Sequence, residues 1–114
     1  MSPRVSPSPA PAPDLAPVFF ALGDSTRLRL IAVLCAGGAF SIAQLTANTD
    51  VTRQAVTKHL QVLADAGLVK DLKVGRERLW QFDPAQLEQA RRSLEIIGSQ
   101  WEQALGKLKA SLEG

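Results

Sequence analysis

The segment at residues 51–67, VTRQAVTKHLQVLADAG, separates its apolar and polar side chains at the spacing of an α-helix. Val56, Leu60 and Leu63 recur at i, i+4 and i+7 and therefore share one face. The opposite face is a polar stripe without an acid, made of Arg53, Gln54, Thr57, Lys58 and Gln61. Such groups hydrogen-bond base edges and phosphates. The pattern predicts a helix that packs by one face and presents the other to a DNA major groove; a merely solvated polar face is the alternative.

The distribution of charge favours the DNA interpretation. The whole chain has 13 Lys and Arg against 11 Asp and Glu, a net charge of only +2. Residues 51–78 hold six basic and three acidic side chains, whereas residues 79–114 hold four basic and five acidic ones. Positive charge is therefore concentrated around the polar-striped helix, as an electrostatic footprint on nucleic acid requires.

Composition excludes several other classes of protein. A length of 114 residues fits one domain. A single cysteine, Cys35, excludes an internal disulfide framework, and a single histidine, His59, leaves no His/Cys cluster for zinc. No apolar run reaches the roughly 18 residues that span a bilayer, and the first residues lack the apolar core of a secretory signal. We therefore expect a cytoplasmic protein. The chain also lacks a paired catalytic base and nucleophile, so we do not expect an enzyme.

Proline and glycine divide the first half of the chain. Residues 1–13 contain five prolines and are predicted to form a disordered, Pro-rich arm, whereas residues 14–114 are predicted to form one domain. Asp14 can cap a short helix that Gly23 ends. A second helix starts at Asp24 or Ser25 and ends before Gly37. Its apolar stripe is predicted to consist of Leu28, Ile31, Ala32 and Cys35. Leu30, Val33 and Leu34 are predicted to widen this stripe.

The middle of the chain predicts a helix-turn-helix followed by a hairpin. After a brief extended piece at residues 39–40, Ser41 can cap a third helix at residues 42–47, and residues 48–50 form a turn. Either Asp50 or Thr52 can cap the polar-striped helix, and Gly67 can end it. Strand-like runs at residues 68–74 and 77–82 flank Gly75 and Arg76, which suits a tight hairpin. A basic hairpin directly after a helix-turn-helix is a wing.

The last segment predicts one long helix at residues 84–113. Asp83 and Pro84 supply an N-cap and an N1 proline. About 30 residues at 1.5 Å each give a helix about 45 Å long. Such a helix could pair with a second copy of the chain or fold back on its own domain. Its length favours pairing, because it exceeds what is needed to cover a small three-helix core. The apolar residues recur nearly as a heptad seam: Leu87, Ala90, Leu94, Ile97, Trp101, Leu105, Leu108 and Leu112.

Four segments together resemble one known family. GDSTRLRLIAVL at 23–34, SIAQL at 41–45, TRQAVTKHLQVLADAGLV at 52–69 and GRERLWQFDP at 75–84 closely resemble the ArsR/SmtB family of bacterial repressors. The resemblance implies an α+β, mostly α, winged helix-turn-helix fold with five helices and a two-stranded β-hairpin wing. It also implies a homodimer that pairs through its first and last helices and binds double-stranded DNA at an inverted repeat. The interface residues would be Phe19, Phe20, Leu87, Leu94, Ile97, Trp101, Leu105 and Leu108.

The same resemblance assigns DNA contacts to particular residues. Arg76 and Arg78 would be wing contacts, and Ser41 and Gln44 would meet a phosphate at the start of the third helix. His59 stays open between a phosphate contact and a packing role beside the wing. Contacts to bases and phosphates fall on Thr52, Arg53, Gln54, Thr57 and Lys58.

One departure from the family pattern is specific. The paired cysteines of the arsenic sensors fall on Ser41 and Ala43 in this chain, and neither is a thiolate ligand. The last helix has Glu88, Glu95, Glu102 and Glu113 but no histidine. The sequence therefore resembles a metal-site-free branch, often autoregulatory, and we expect no metal site and no cofactor. The resemblance also allows for a small-molecule inducer of unknown identity as a partner.

Two alternatives to a metal-independent repressor remain. Cys35, predicted to be buried and inert, is the one residue that would support redox sensing. A winged helix that binds only other proteins is the second alternative. The acid-free stripe at Arg53, Gln54, Thr57 and Lys58, together with the basic wing, argues against it because an adapter needs neither feature.

Overall fold

The computed structural model describes residues 14–113, which form five helices and one small antiparallel sheet. The predicted fold class is confirmed. The arm at residues 1–13 and the terminal Gly114 lie outside the described residues. In chain order the elements are α1 (Ala16–Leu22), α2 (Ser25–Cys35), β1 (Ala39–Phe40), α3 (Ile42–Thr46), α4 (Arg53–Asp65), β2 (Val69–Val74), β3 (Glu77–Phe82) and α5 (Pro84–Glu113).

The sheet has three strands rather than the predicted two. β2 and β3 form the hairpin, and β1 adds to the free edge of β3, so the strand order is β1-β3-β2. Ala39 pairs with Gln81 and Phe40 with Trp80. A two-residue strand has no periodicity of its own, and its pairing depends on where β3 lies. This third strand anchors the wing to the start of the helix-turn-helix.

The core lies between the helix-turn-helix and the base of the wing. Val56, Leu60 and Leu63 of α4 are completely buried, as their i, i+4, i+7 spacing predicts. They pack with leucines of the other elements, chiefly Leu30, Leu34, Leu45 and Leu68. No polar or charged residue among residues 14–113 is buried, so apolar packing holds these elements together.

The buried face of α2 differs from the predicted one. Leu30, Ile31 and Leu34 are buried, whereas Leu28 is 51% exposed and Cys35 is exposed. Two overlapping apolar stripes run along this helix, and its contacts with α1, α4 and β3 select the one that contains Leu30 and Leu34. The prediction that Cys35 is buried was wrong, although partial desolvation still raises the pKa of its thiol.

Most predicted helix ends are confirmed at the level of single hydrogen bonds. Asp24 is the N-cap of α2, and its carboxylate accepts from the backbone N–H of Arg27 at 3.0 Å. Thr52, rather than Asp50, is the N-cap of α4. The N-cap of α1 is Leu15 rather than Asp14, whose carboxylate instead accepts from the backbone N–H of Ala16 at 3.0 Å.

Gly67 ends α4 in the left-handed conformation, with φ of +78°. The N–H of Leu68 donates to the carbonyl of Leu63, and the N–H of Gly67 donates to the carbonyl of Ala64, each at 2.9 Å. These two bonds are the Schellman pattern, and the accompanying apolar contact is supplied by Leu63 and Leu68, both buried. The chain therefore turns directly from α4 into the wing.

Along its 30 residues α5 buries only Ala90. It contacts α1 near its start, and every residue from Leu94 to the end of the helix is exposed. Within residues 14–113, no helix combines the length and apolarity needed to cross a membrane.

Candidate nucleic-acid interface

The exposed face of α4 carries the predicted polar stripe. Arg53, Gln54, Thr57 and Lys58 are all exposed, on the side of the helix opposite the buried leucines. Within residues 14–113, the side chains of Arg53, Gln54 and Lys58 make no hydrogen bond or ion pair, so their donors are available to a ligand. The Thr57 hydroxyl donates to the carbonyl of Arg53 at 2.9 Å, and its oxygen can still accept.

Polar side chains on either side of these free donors form hydrogen bonds within the protein. The Thr52 hydroxyl accepts from the backbone N–H of Ala55 at 3.1 Å and so caps the helix. At the other end the Gln61 amide donates to the Asp65 carboxylate at 2.9 Å. The donors without partners are therefore concentrated in the first two turns of α4, the part of a recognition helix that reaches base edges.

The wing presents its two predicted arginines differently. Gly75, with φ of +63°, opens the two-residue turn, and the exposed Arg76 follows it at the tip. Arg78 is held by contacts within the wing: its Nε donates to Asp71 Oδ2 at 2.7 Å, and its guanidinium lies 4.7 Å from the centroid of the Trp80 ring. Arg76 is thus the freer cation for a phosphate.

Lys73 is a wing cation that the sequence reasoning did not single out. It pairs with Arg78 across the hairpin, so the two side chains share a face of the sheet with Asp71 and Trp80. Strand alternation was the signal that could have found it, because residues 71 and 73 face the same side of β2.

Ser41 and Gln44 form a capping box at the start of α3. The Ser41 hydroxyl accepts from the Gln44 N–H at 3.1 Å, and the Gln44 side chain accepts from the Ser41 N–H at 2.9 Å. Both side chains are therefore already engaged in holding the helix end. Their availability to a phosphate is smaller than the sequence suggested.

His59 lies against α2 rather than beside the wing. Its Nδ1 is 3.1 Å from Nη1 of Arg27 and 3.8 Å from Oδ2 of Asp24. The backbone hydrogen bond from Arg27, aided by the charge of its guanidinium, lowers the pKa of the Asp24 carboxyl. Arg27 is a site residue that sequence reasoning missed, since 32 residues separate it from His59.

An apolar groove of about 410 Å³ runs between α1 and the start of α5. Of the predicted interface residues, Phe19, Leu87 and Leu94 line it. The seam continues beyond the groove through Ile97, Trp101, Leu105 and Leu108, which are 44–62% exposed. Phe20 is separate: it is 69% exposed and lies on the other side of α1, near Val62 of α4 and Ala66, the C-cap residue of that helix.

Two of the four glutamates of α5 form ion pairs with arginines. Glu88 and Glu95 both bind Arg91, and the hydrogen bond from Arg91 lowers the pKa of the Glu88 carboxyl. Across residues 14–113, no three His, Cys, Asp or Glu side chains are grouped so that they could hold a metal ion.

Comparison with known proteins gives consistent similarities. A family model described as a helix-turn-helix domain matches residues 22–71. The HTH-type transcriptional regulator Rv2034 of Mycobacterium tuberculosis is 39% identical over 85 residues, which is 75% of this chain and 76% of that protein. The structure of an ArsR-like transcriptional regulator from Rhodococcus sp. RHA1 is 40% identical with a TM-score of 0.77, covering 87% of this chain and 90% of that one.

A more distant structure shows the fold alone. It is the homodimeric winged helix-turn-helix domain Mb0332 from Mycobacterium bovis, described as a possible ArsR-family regulator. It is 18% identical with a TM-score of 0.59, covering 78% of this chain and 82% of that one.

An exposed polar recognition helix next to a basic β-wing defines a winged helix-turn-helix, DNA-binding transcriptional regulator rather than an enzyme. The similarity to Rv2034 and to the Rhodococcus protein extends over most of both chains. This chain belongs to the ArsR family of transcriptional regulators.

Proposed function

We propose that this regulator is a homodimeric, autoregulatory repressor that binds an inverted repeat in double-stranded DNA without sensing a metal. The observation that carries the proposal is the acid-free, exposed surface of α4, with the free donors of Arg53, Gln54 and Lys58 beside a basic wing. A protein that acts on its own promoter works in the cytoplasm, where bacterial DNA lies.

We assign base reading to Arg53 and Gln54, in the first turn of α4. Arginine bonds guanine bidentately in the major groove, and glutamine bonds adenine in the same way. Thr57 and Lys58, one turn later, are assigned to phosphates or to flanking bases. Thr52 contributes chiefly as the cap that fixes the start of the helix.

We assign backbone contacts to the wing, with Arg76 as the principal one and Lys73 and Arg78 as secondary ones. Each phosphate neutralised by such a cation adds to the salt dependence of binding. Ser41, Gln44 and His59 are placed at the margin of the site because their polar atoms already have partners within the protein.

The seam of α5 supports a dimer. Leu94, Ile97, Trp101 and Leu108 are each more than half exposed, and an apolar row of this length is rare on a monomer. Pairing α1 and α5 with a second copy would cover the groove and the row together. A dimer of this kind would set its two recognition helices about 34–36 Å apart, one turn of DNA.

The decisive experiment is selection of bound duplexes from random DNA with the full chain, followed by gel shifts at fixed salt. We expect one inverted repeat to be enriched. Arg53→Ala and Gln54→Ala should each relax preference at one position per half-site, by about 1–3 kcal/mol. Arg92→Ala, which removes an exposed charge on α5, is the matched control and should keep the preference.

Two results would overturn the proposal. One is the absence of any enriched duplex. The other is full sequence preference in the Arg53→Ala, Gln54→Ala double variant, which would remove α4 from base reading. An adapter that binds only proteins would give the first result.

Metal independence has its own test. We expect no stoichiometric binding of zinc or nickel by calorimetry and no change in duplex affinity when either metal is added. Stoichiometric binding that weakens duplex affinity would contradict this part of the proposal. Redox sensing through Cys35 is tested independently of metal binding. Mass spectrometry after mild peroxide should find Cys35 unmodified, because a raised thiol pKa leaves less of the reactive thiolate.

A further inference from the structure

The Arg27 guanidinium joins three elements of the fold. Its Nε donates to the carbonyl of Ala21 at 2.6 Å and its Nη2 to the carbonyl of Phe20 at 3.2 Å. Both carbonyls lie in the last turn of α1, where helix carbonyls are open to partners from outside the helix. The Phe20 carbonyl also accepts from the N–H of Gly23 at 3.1 Å. Its Nη1 lies 3.1 Å from Nδ1 of His59, on α4. One side chain on α2 therefore holds the end of α1 and the recognition helix together.

The chemistry of this contact fixes the state of His59. A guanidinium has five N–H donors and no acceptor, so His59 Nδ1 must accept and must be unprotonated. The proton of the neutral imidazole is then on Nε2. A proton on Nδ1 would break the bond to Arg27 and would face Oδ2 of Asp24, which is 3.8 Å away. Arg27 and Asp24 are the charged groups that contact this imidazole.

We propose that Arg27 is a positioning residue that sets the recognition helix against the C-terminal end of α1 by bonding His59 and the α1 carbonyls at once. The proposal rests on the proposed function, in which α4 reads DNA and α1 belongs to the dimer surface. Since α1 is shared between the dimer surface and this contact, Arg27 links the spacing of the two copies to the placement of each recognition helix.

The contact has no substitute within residues 14–113. Apart from Arg27, the hydrogen bonds of α4 side chains are made within α4 or with its cap, as in Thr57 to Arg53 and Gln61 to Asp65. The other polar approach of α4 to this region is the 3.8 Å distance from His59 Nδ1 to Oδ2 of Asp24, the cap of α2. The buried contacts of α4 with α1 and α2 are apolar, and they allow sliding more readily than a forked hydrogen bond does. The guanidinium also lies 5.4 Å from the centroid of the Phe20 ring, which holds it over the end of α1.

The first test uses the free protein and needs no DNA. His59 is the single histidine of the chain, so the 15N signals of its ring are unambiguous. At about pH 8.5, well above the usual imidazole pKa of about 6.5, the wild type should show a protonated Nε2 and an unprotonated Nδ1. Arg27→Met, which removes every donor while keeping a good helix former, should give a mixture of tautomers. A proton on Nδ1, or the same signals in both proteins, would overturn the proposal.

The second test measures affinity for the duplex selected by the wild type. Arg27→Lys keeps the charge but cannot hold three partners, and it should weaken binding roughly 3- to 30-fold. Arg29→Lys is the matched control on the same helix, and it should stay within about twofold of the wild type. Arg29 is exposed, and its only ion pair among the described residues is a 3.8 Å contact with a side chain that is 99% exposed. Equal affinities for Arg27→Lys and the wild type would overturn the proposal.

His59 provides the test from the other side of the contact. His59→Asn keeps an acceptor near the position of Nδ1 and should retain affinity. His59→Leu should lose affinity, but less than Arg27→Lys does, because Arg27→Lys also weakens the bonds to the carbonyls of Phe20 and Ala21. The Arg27→Lys, His59→Leu double variant should bind no more weakly than Arg27→Lys alone, because the bond that His59→Leu removes is already lost in Arg27→Lys. Additive losses would overturn the proposal, and these variants keep it testable if Arg27→Met fails to fold.

Two controls separate positioning from simple stability and from the function itself. Circular dichroism and sedimentation must show each variant folded and in the wild-type assembly, so that a lower affinity reports the placement of α4. If the wild type selects no duplex, the proposed function fails, whereas the tautomer of His59 in the free protein still decides whether Arg27 holds it.

Discussion

Nε of Arg78 lies 2.7 Å from Oδ2 of Asp71, across the two strands of the wing. The same guanidinium stacks on Trp80, whose ring is buried beneath it. The wing thus contains one arginine neutralised by an acid, Arg78, and one without an ion pair in the described residues, Arg76 at the tip. Sequence alone made the two equivalent, and the structure separates them.

Removing the acid should strengthen DNA binding. In Asp71→Asn, Arg78 loses its ion pair and a negative charge near the phosphates disappears. We expect affinity for the selected duplex and for random duplex to rise about 2- to 10-fold at low salt, with a salt slope steeper by up to about one. Gel shifts over a salt series measure both quantities, with Glu102→Gln on α5 as the control. Unchanged or weaker binding would place this side of the wing away from DNA.

The glycine that ends the recognition helix should be sensitive to substitution. In Gly67→Ala, alanine would have to adopt the left-handed backbone conformation that Gly67 has, which its Cβ disfavours. The new Cβ would also lie 2.8 Å from Cγ of Gln86. We expect a loss of about 1–3 kcal/mol in the free energy of unfolding, measured by urea denaturation at fixed protein concentration.

The matched control, Gly106→Ala, should change the free energy of unfolding in the opposite direction. Gly106 lies inside α5, off the apolar seam, and a Cβ added there would meet nothing within 4 Å. Gly106→Ala should therefore stabilise the protein by about 0.5–1 kcal/mol. If both alanines shifted stability equally, the conformation of Gly67 would not be the cause.

A charge in the α5 seam should separate the dimer. Trp101 is 62% exposed in the single chain, and burying it against a second copy would remove a large apolar surface from water. Trp101→Glu should raise the dimer dissociation constant at least about 30-fold, as loss of an interface hot spot does. Sedimentation equilibrium measures it. Gln103→Glu adds the same charge on the opposite side of the helix and should leave the dimer intact; a dimer that survives Trp101→Glu contradicts the assigned interface.

The cap of α2 should make stability depend on pH in a defined direction. The pKa of the Asp24 carboxyl is lowered in the folded chain, so its stabilising contribution is present above the unfolded pKa of about 3.9. That contribution is lost as pH falls through the folded pKa. Asp24→Asn can still cap the helix but does not titrate. The difference in unfolding free energy between wild type and variant should therefore shrink below about pH 4, as urea midpoints at several pH values would show. A difference in unfolding free energy that stays constant with pH would contradict this role of the Asp24 carboxylate.

Local chemistry in the sequence determined several elements. The recognition helix follows from Val56, Leu60 and Leu63 at one-turn spacing, and its end follows from Gly67, because such signals act within a few residues of the chain. The start of α5 follows from Asp83 and Pro84 for the same reason. The candidate DNA-binding stripe was predictable because a helix that buries one face must expose the other.

Features that join distant parts of the chain were decided only by the tertiary structure. α2 carries two overlapping apolar stripes, and its neighbours bury the one with Leu30 and Leu34 rather than the one with Leu28 and Cys35. The pairing of β1 with β3 depends on where β3 lies. The bond from Arg27 to His59 joins residues far apart in the chain. Periodicity records which faces of a helix are apolar, but the choice among those faces, and the partners of a charged side chain, depend on packing between elements that no local pattern encodes.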